Sequence, residues 1–170
     1  MPGNHLEELV AEWHEFQGYF VRRNIQVGKR TMGGYECELD IVAFHPETKD
    51  LVQIEPSLDS DSWAKREERY RKKFEAGQKY IPELFMQLEP TAELRQIALF
   101  VYAGEGRPTV GGGRVMLIKD LMSQILENIR TRRVNAAAIP EQYPLLRTLQ
   151  FAAQYWTVGD APSKQIQTLT

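Results

Sequence analysis

Cysteine is almost missing from this chain: Cys37 stands alone. That excludes an internal disulfide and a cysteine-based zinc knuckle. Histidine is scarce too, and His5, His14 and His45 make no zinc-ligand spacing. No apolar run approaches the roughly 20 residues that span a bilayer, so no membrane association is expected. The opening residues, MPGNHLEELVAEWHEF, are acidic and amphipathic, unlike a secretory leader, which makes the cytoplasm the default compartment. The segment AGEGRPTVGGGR is glycine-rich but lacks the G-x-x-x-x-G-K-[ST] arrangement of a phosphate cradle, and it reads as a mobile loop able to contact a partner. No serine sits in a G-x-S-x-G elbow.

What remains is an ordinary globular composition, 42% hydrophobic and 26% charged over 170 residues, long enough for a real core. One domain over residues 1–160 is the simplest division, with a loose polar tail at 161–170. The net charge of −2 does not advertise a nucleic-acid binder, but its distribution is uneven. Between Lys65 and Lys79 seven basic residues face three glutamates, a local +4 on a body carrying −6. Such a stripe suits phosphate, although a charge run is also an ordinary solvated face.

The chain is organised around Tyr35 to Trp63. In its first half Glu38, Asp40, Val42 and Phe44 alternate with Leu39, Ile41 and Ala43; in its second, Leu51, Gln53, Glu55 and Ser57 alternate with Val52 and Ile54. Strand side chains have period two, so Asp40 and Glu55 come together if the strands pair across the turn His45 to Asp50. Two readings are open. The ribbon has one wet face, or the carboxylates converge on a hard cation such as Mg²⁺, which takes one or two carboxylates plus water and phosphate oxygens. Pro56 lacks a backbone donor and is expected to end the second strand just after Glu55.

A glycine pair at Gly33-Gly34, an E-L-D-I-V strand, a hairpin and a strand ending in Q-x-E-x-S resemble the core of the PD-(D/E)xK nuclease superfamily, over about Leu6 to Tyr102. Asp40 matches the first acid. Gln53 stands where the second acid is usual, Glu55 where the lysine is usual, and Ser57 fits the small hydroxyl residue that often follows. The resemblance implies an α/β fold: a restriction-endonuclease-like three-layer α/β/α core with a mixed central sheet, on which the first helix and the basic helix pack. It implies Mg²⁺ or Mn²⁺ held by Asp40, Glu55 and the carbonyl of Ile54. Glu12 would be the upstream helical acid, and Gln53 would orient water. It also implies a nucleic-acid partner, DNA first, and a possible homodimer, because many relatives pair to cut two strands. Some members move the lysine to the following helix. Lys65 is the first candidate for that move and Lys73 the second; Gln78 sits where some relatives keep a helical glutamine. Ser57, Lys65, Arg69, Lys72 and Lys73 would face the nucleic acid.

The remaining elements follow from periodicity. Leu6 to Phe20 repeats its apolar residues as a helix does, with Asn4 as cap, and Tyr19 to Arg30 reads as a strand. A helix from Trp63 carries Tyr70, Phe74, Gly77 and Ile81 on one side and Lys65, Arg69, Lys72 and Lys79 on another. Pro82 and Pro90 are expected to break the chain around a short helical piece. Arg95 to Tyr102 suits a buried strand, Arg114 to Lys119 another, and helices are expected from Asp120 and over Tyr143 to Trp156. The leading reading is a divergent metal-dependent nuclease. The alternatives are a catalytically inactive module of the same fold that binds nucleic acid or protein, and a purely structural protein.

Overall fold

The computed structural model describes residues 4–85 and 93–156. The expected tail at 161–170, and the segment around Pro90, lie outside the described residues. The chain divides into two compact units, Met1–Ser123 and Gln124–Thr170.

The first unit opens with α1 (His5–Phe16), whose N-terminus is capped as the sequence suggests: the Asn4 side chain accepts from the Leu6 N–H at 3.1 Å. Three antiparallel strands follow, β1 (Phe20–Lys29), β2 (Tyr35–Phe44) and β3 (Leu51–Ser57). The chain then forms α2 (Trp63–Leu84) and returns as β4 (Leu94–Phe100), parallel to β3. β5 (Thr109–Val110) and β6 (Gly113–Leu117) complete a six-stranded mixed sheet in the order β1-β2-β3-β4-β6-β5. Among the described residues the chain has four helices, an α/β fold compatible with three layers.

Where it pairs with β3, from Ile41 to Phe44, β2 is not wet on either face. Ile41 and Ala43 on one side, and Val42 and Phe44 on the other, are all buried. α2 covers the second side, where Val42, Phe44 and Leu51 pack with Ala76 and Ile81. α1 packs on β1, β2 and β3. The sheet ends in two unlike edges. β5 has only two residues, and the registered pairing of β1 with β2 has gaps at Asn24 (φ 51°), opposite Asp40, and at Gly28 (φ 68°), opposite Glu36.

Four expectations change. Pro56 does not end β3, which continues to Ser57. Its registered pairing with β2 stops at Ile54 while pairing with β4 goes on, so a residue without an N–H is tolerated on the unladdered side. Pro82 does not break α2, because it falls in the last turn and removes a single backbone bond. The glycine-rich segment is not a free loop: it contains β5, a tight turn and the start of β6. Two of its glycines, Gly111 and Gly113, are required by close approach. A Cβ on Gly111, whose φ is +55°, would overlap the α2 backbone at Tyr70 and Arg71, and one on Gly113 would enter the Phe74 ring. The strand after it ends at Leu117, and Ile118 already begins α3 (Ile118–Ile129).

The second unit holds the end of α3, an irregular connection and α4 (Pro144–Tyr155). Ile125, Ile129, Ile139 and Leu146 are buried there. Gln150 is the buried polar clasp of the connection. It accepts from Ile139 N–H at 2.9 Å and donates to the carbonyls of Arg132 and Ala137 at 2.9 and 3.0 Å.

Candidate functional site

The β2–β3 register sets Ile41 opposite Ile54, so the next pair outward is Asp40 and Glu55. Both project toward α2, where Lys73 reaches between them. Its ammonium donates to Asp40 Oδ1 at 2.6 Å and to Glu55 Oε2. Asp40 and Lys73 keep about a sixth and a fifth of their side-chain surface, whereas Glu55 is sealed. A pocket of about 210 Å³ opens over the pair, lined by Asp40, Pro56, Ser57, Arg69, Tyr70 and Lys73. A wider groove of about 700 Å³ shares Arg69 and Lys73 and is bordered by Lys72 and Tyr35 to Glu38.

Behind Glu55 lies a buried chain of amides. Gln53 donates to Glu55 Oε1 at 2.8 Å and to the Lys73 carbonyl at 3.2 Å. Gln96 of β4 donates to Gln53 Oε1 at 2.7 Å and to the Phe74 carbonyl at 2.8 Å, and itself accepts from Gln78 at 3.0 Å. The Tyr70 hydroxyl donates to the Glu55 carbonyl at 3.2 Å, and burial pushes that phenol up to about 12. α2 approaches this chain so closely that a Cβ on Gly77 would overlap the Gln53 amide.

Two carboxyls and one ammonium share the cluster, so the carboxyls outnumber the cation that joins them. Burial pushes the Glu55 carboxyl up to about 8, with Lys73 opposing and Asp40 adding to the rise. The same carboxylates hold Lys73 above its usual value against the cost of its burial. Glu55 therefore keeps a proton in the folded chain that it loses in the unfolded one between about pH 4.5 and about pH 8. The folded state binds more protons across that window, so this group's contribution makes stability fall as pH rises through it. The expected result is a urea midpoint that declines from pH 5 to pH 8 in the native chain, with a flatter profile in Glu55→Gln.

The remaining residues singled out by sequence fall in different places. Ser57 lines the pocket, and its hydroxyl donates to Asp59. Arg69 lines it as well but is tied to Asp59 and, at 3.0 Å, to Asp61. Burial alone would raise the Asp59 carboxyl, yet hydrogen bonds from Ser57, Arg69, the Asp61 N–H and Arg66 hold it well below the ordinary range. Lys72 is exposed on the wider groove. Ile54 lies in the ladder opposite Ile41. Lys65 is mostly exposed, 4.0 Å from Asp61, and it is Lys73 that joins the carboxylates. Glu12 is buried on α1 with interactions of its own. Elsewhere on α1, the Glu7 carboxyl is raised by burial first and then by the charge of Asp40, with Lys73 opposing.

The donors suit a hard cation in one respect. Asp40 lines the pocket, with its Oδ1 taken by Lys73. Among the described residues no three His, Cys, Asp or Glu side chains form a cage. An ion here would be held by one or two carboxylates and water, as Mg²⁺ commonly is. Among those residues, too, no helix is long and apolar enough to cross a membrane. The chain matches no family model, and no curated protein is significantly similar to it in sequence.

Proposed function

We propose that this chain is a divergent PD-(D/E)xK-type nuclease with a restriction-endonuclease-like core, acting on phosphodiesters of nucleic acid, DNA first, with Mg²⁺ or Mn²⁺. The observation that carries the reading is the meeting of Asp40 and Glu55 at Lys73. The lysine that the motif places on the strand is supplied from α2 instead, at the same carboxylates. Asp40 and Glu55 would hold the ion, and Glu7 responds to the charge of Asp40. When bound, the ion supplies an acidified water and neutralises charge on the phosphate.

The chain's own groups do the rest. Lys73, fixed by two acceptors and desolvated, is a positive charge at the mouth of the pocket, placed to meet a phosphate oxygen and stabilise charge developing there. Gln53, Gln96 and Gln78 hold the Glu55 carboxylate in one orientation. Lys72 offers the sequence-independent phosphate contact expected of a backbone reader.

A second reading, an inactive module of the same fold that binds nucleic acid or protein, is favoured by a different observation. Both oxygens of Glu55 are already engaged and none of its surface is exposed. Titration with Mn²⁺ separates the two. The nuclease reading expects saturable binding that Asp40→Ala abolishes, together with cleavage of a labelled oligonucleotide lowered at least about a hundredfold, a loss of about 2.7 kcal/mol of transition-state stabilisation. An unaltered titration in Asp40→Ala would leave only the inactive module.

A further inference from the structure

A second cavity lies next to the first, and nothing in the proposed chemistry uses it. β3, β4 and β6 run parallel, and ligands of α/β sheets gather beyond the carboxyl ends of such strands. The segments leaving β3 and β4 enclose about 540 Å³ there, within the range of small-molecule pockets. Three apolar side chains line it while open to solvent: Leu58 and Val101, each 58% exposed, and Tyr102, 70% exposed. Trp63 forms another wall, with the Arg107 guanidinium 4.5 Å from its ring centroid.

The walls are fixed from behind by one residue. Arg66 is buried, stacks 4.4 Å from the Phe100 ring centroid, donates to Asp59 on one segment and reaches the Tyr102 carbonyl on the other at 2.9 Å. The cavity adjoins the Asp40–Lys73 pocket across the Ser57–Asp59 hydrogen bond. Ser57 lines that pocket and donates to Asp59, which lines this one, and the next residue in the chain is Leu58.

We propose that this cavity receives an unpaired nucleobase of the strand whose phosphate lies over Asp40 and Lys73. The inference rests on the nuclease-fold reading for the identity of the ligand, and it specifies single-stranded or locally opened substrate. Flat aromatic walls and a planar guanidinium are the surfaces on which bases stack, whatever their sequence. Arg107 adds positive charge for the adjoining backbone. A base still paired within a duplex cannot present its face to these walls.

The test measures binding by fluorescence anisotropy in EDTA, so that no cleavage intervenes. Its probes are a short single-stranded DNA, an abasic oligomer of the same length and a duplex. Tyr102→Ala, a substitution at an exposed position, is expected to weaken single-strand binding about tenfold or more and to leave the abasic oligomer unaffected. The native chain is expected to prefer the single strand to both other probes. Equal affinity for the abasic oligomer, an unaltered Tyr102→Ala, or no binding of any oligonucleotide overturns the proposal; the last would leave the cavity to a protein side chain. The two readings fail separately. Base-dependent binding without cleavage in Mg²⁺ removes the nuclease and keeps the pocket, whereas cleavage indifferent to Tyr102→Ala does the reverse.

Discussion

Lys73→Met is expected to destabilise the chain by about 3–5 kcal/mol, the usual cost of removing one partner from a buried ion pair. The reason is geometric. Glu55 is sealed under α2 and Asp40 is largely covered, so without the ammonium the two carboxyls face each other with no compensating charge. The urea midpoint reports this directly. The combination Lys73→Met, Asp40→Asn and Glu55→Gln removes every ionisable group of the cluster and should recover much of the loss, because the penalty lies in uncompensated charge and not in packing. If Lys73→Met alone unfolds no more easily than the native chain, the cluster is not a buried charge network at all. In the functional assay the same substitution should remove cleavage even where stabilising conditions keep the protein folded.

Gly77→Ala is the second large effect, and its sign is the opposite of the usual one. In the middle of a helix, alanine ordinarily stabilises by about 1 kcal/mol relative to glycine. Here the new methyl would overlap the Gln53 amide, which is pinned between Glu55, Gln96 and the Lys73 carbonyl and has nowhere to retreat. A net loss of about 1–3 kcal/mol is expected, as for overpacking elsewhere. Pairing it with Gln53→Ala, which vacates the space, should make the two losses less than additive. Thermal unfolding of the four chains closes that cycle, and strict additivity would show that the helix does not press on the amide.

The sequence makes the hairpin legible because its alternation, its turn and its two acids agree. Setting Asp40 beside Glu55 needs only period two and a six-residue connection. Which lysine completes the cluster depends on helical phase. Lys73 falls three residues after Tyr70 and four before Gly77, on the flank of the buried face, while Lys65 is five residues before Tyr70 and is carried round to solvent. That phase could have selected Lys73. Gln96 also left a trace, as a lone amide inside the apolar run RQIALFVY. Glu7 left none, since its response to the charge of Asp40 comes from how α1 docks, and one carboxylate in an acidic first turn looks like another. The glycines of GGG point equally to a free loop or to tight packing, and only the closeness of α2 decides between them.

The unlike edges of the sheet bear on self-association. A second copy could add strands most readily along β1, the longer border, but the left-handed residue at Asn24 spoils the straight template that such growth requires, and β5 offers two residues at the opposite border. Side-by-side strand addition is thereby discouraged at both ends. Two copies cutting opposite strands would have to meet through side chains, where charge and shape, and not backbone amides, select the partner.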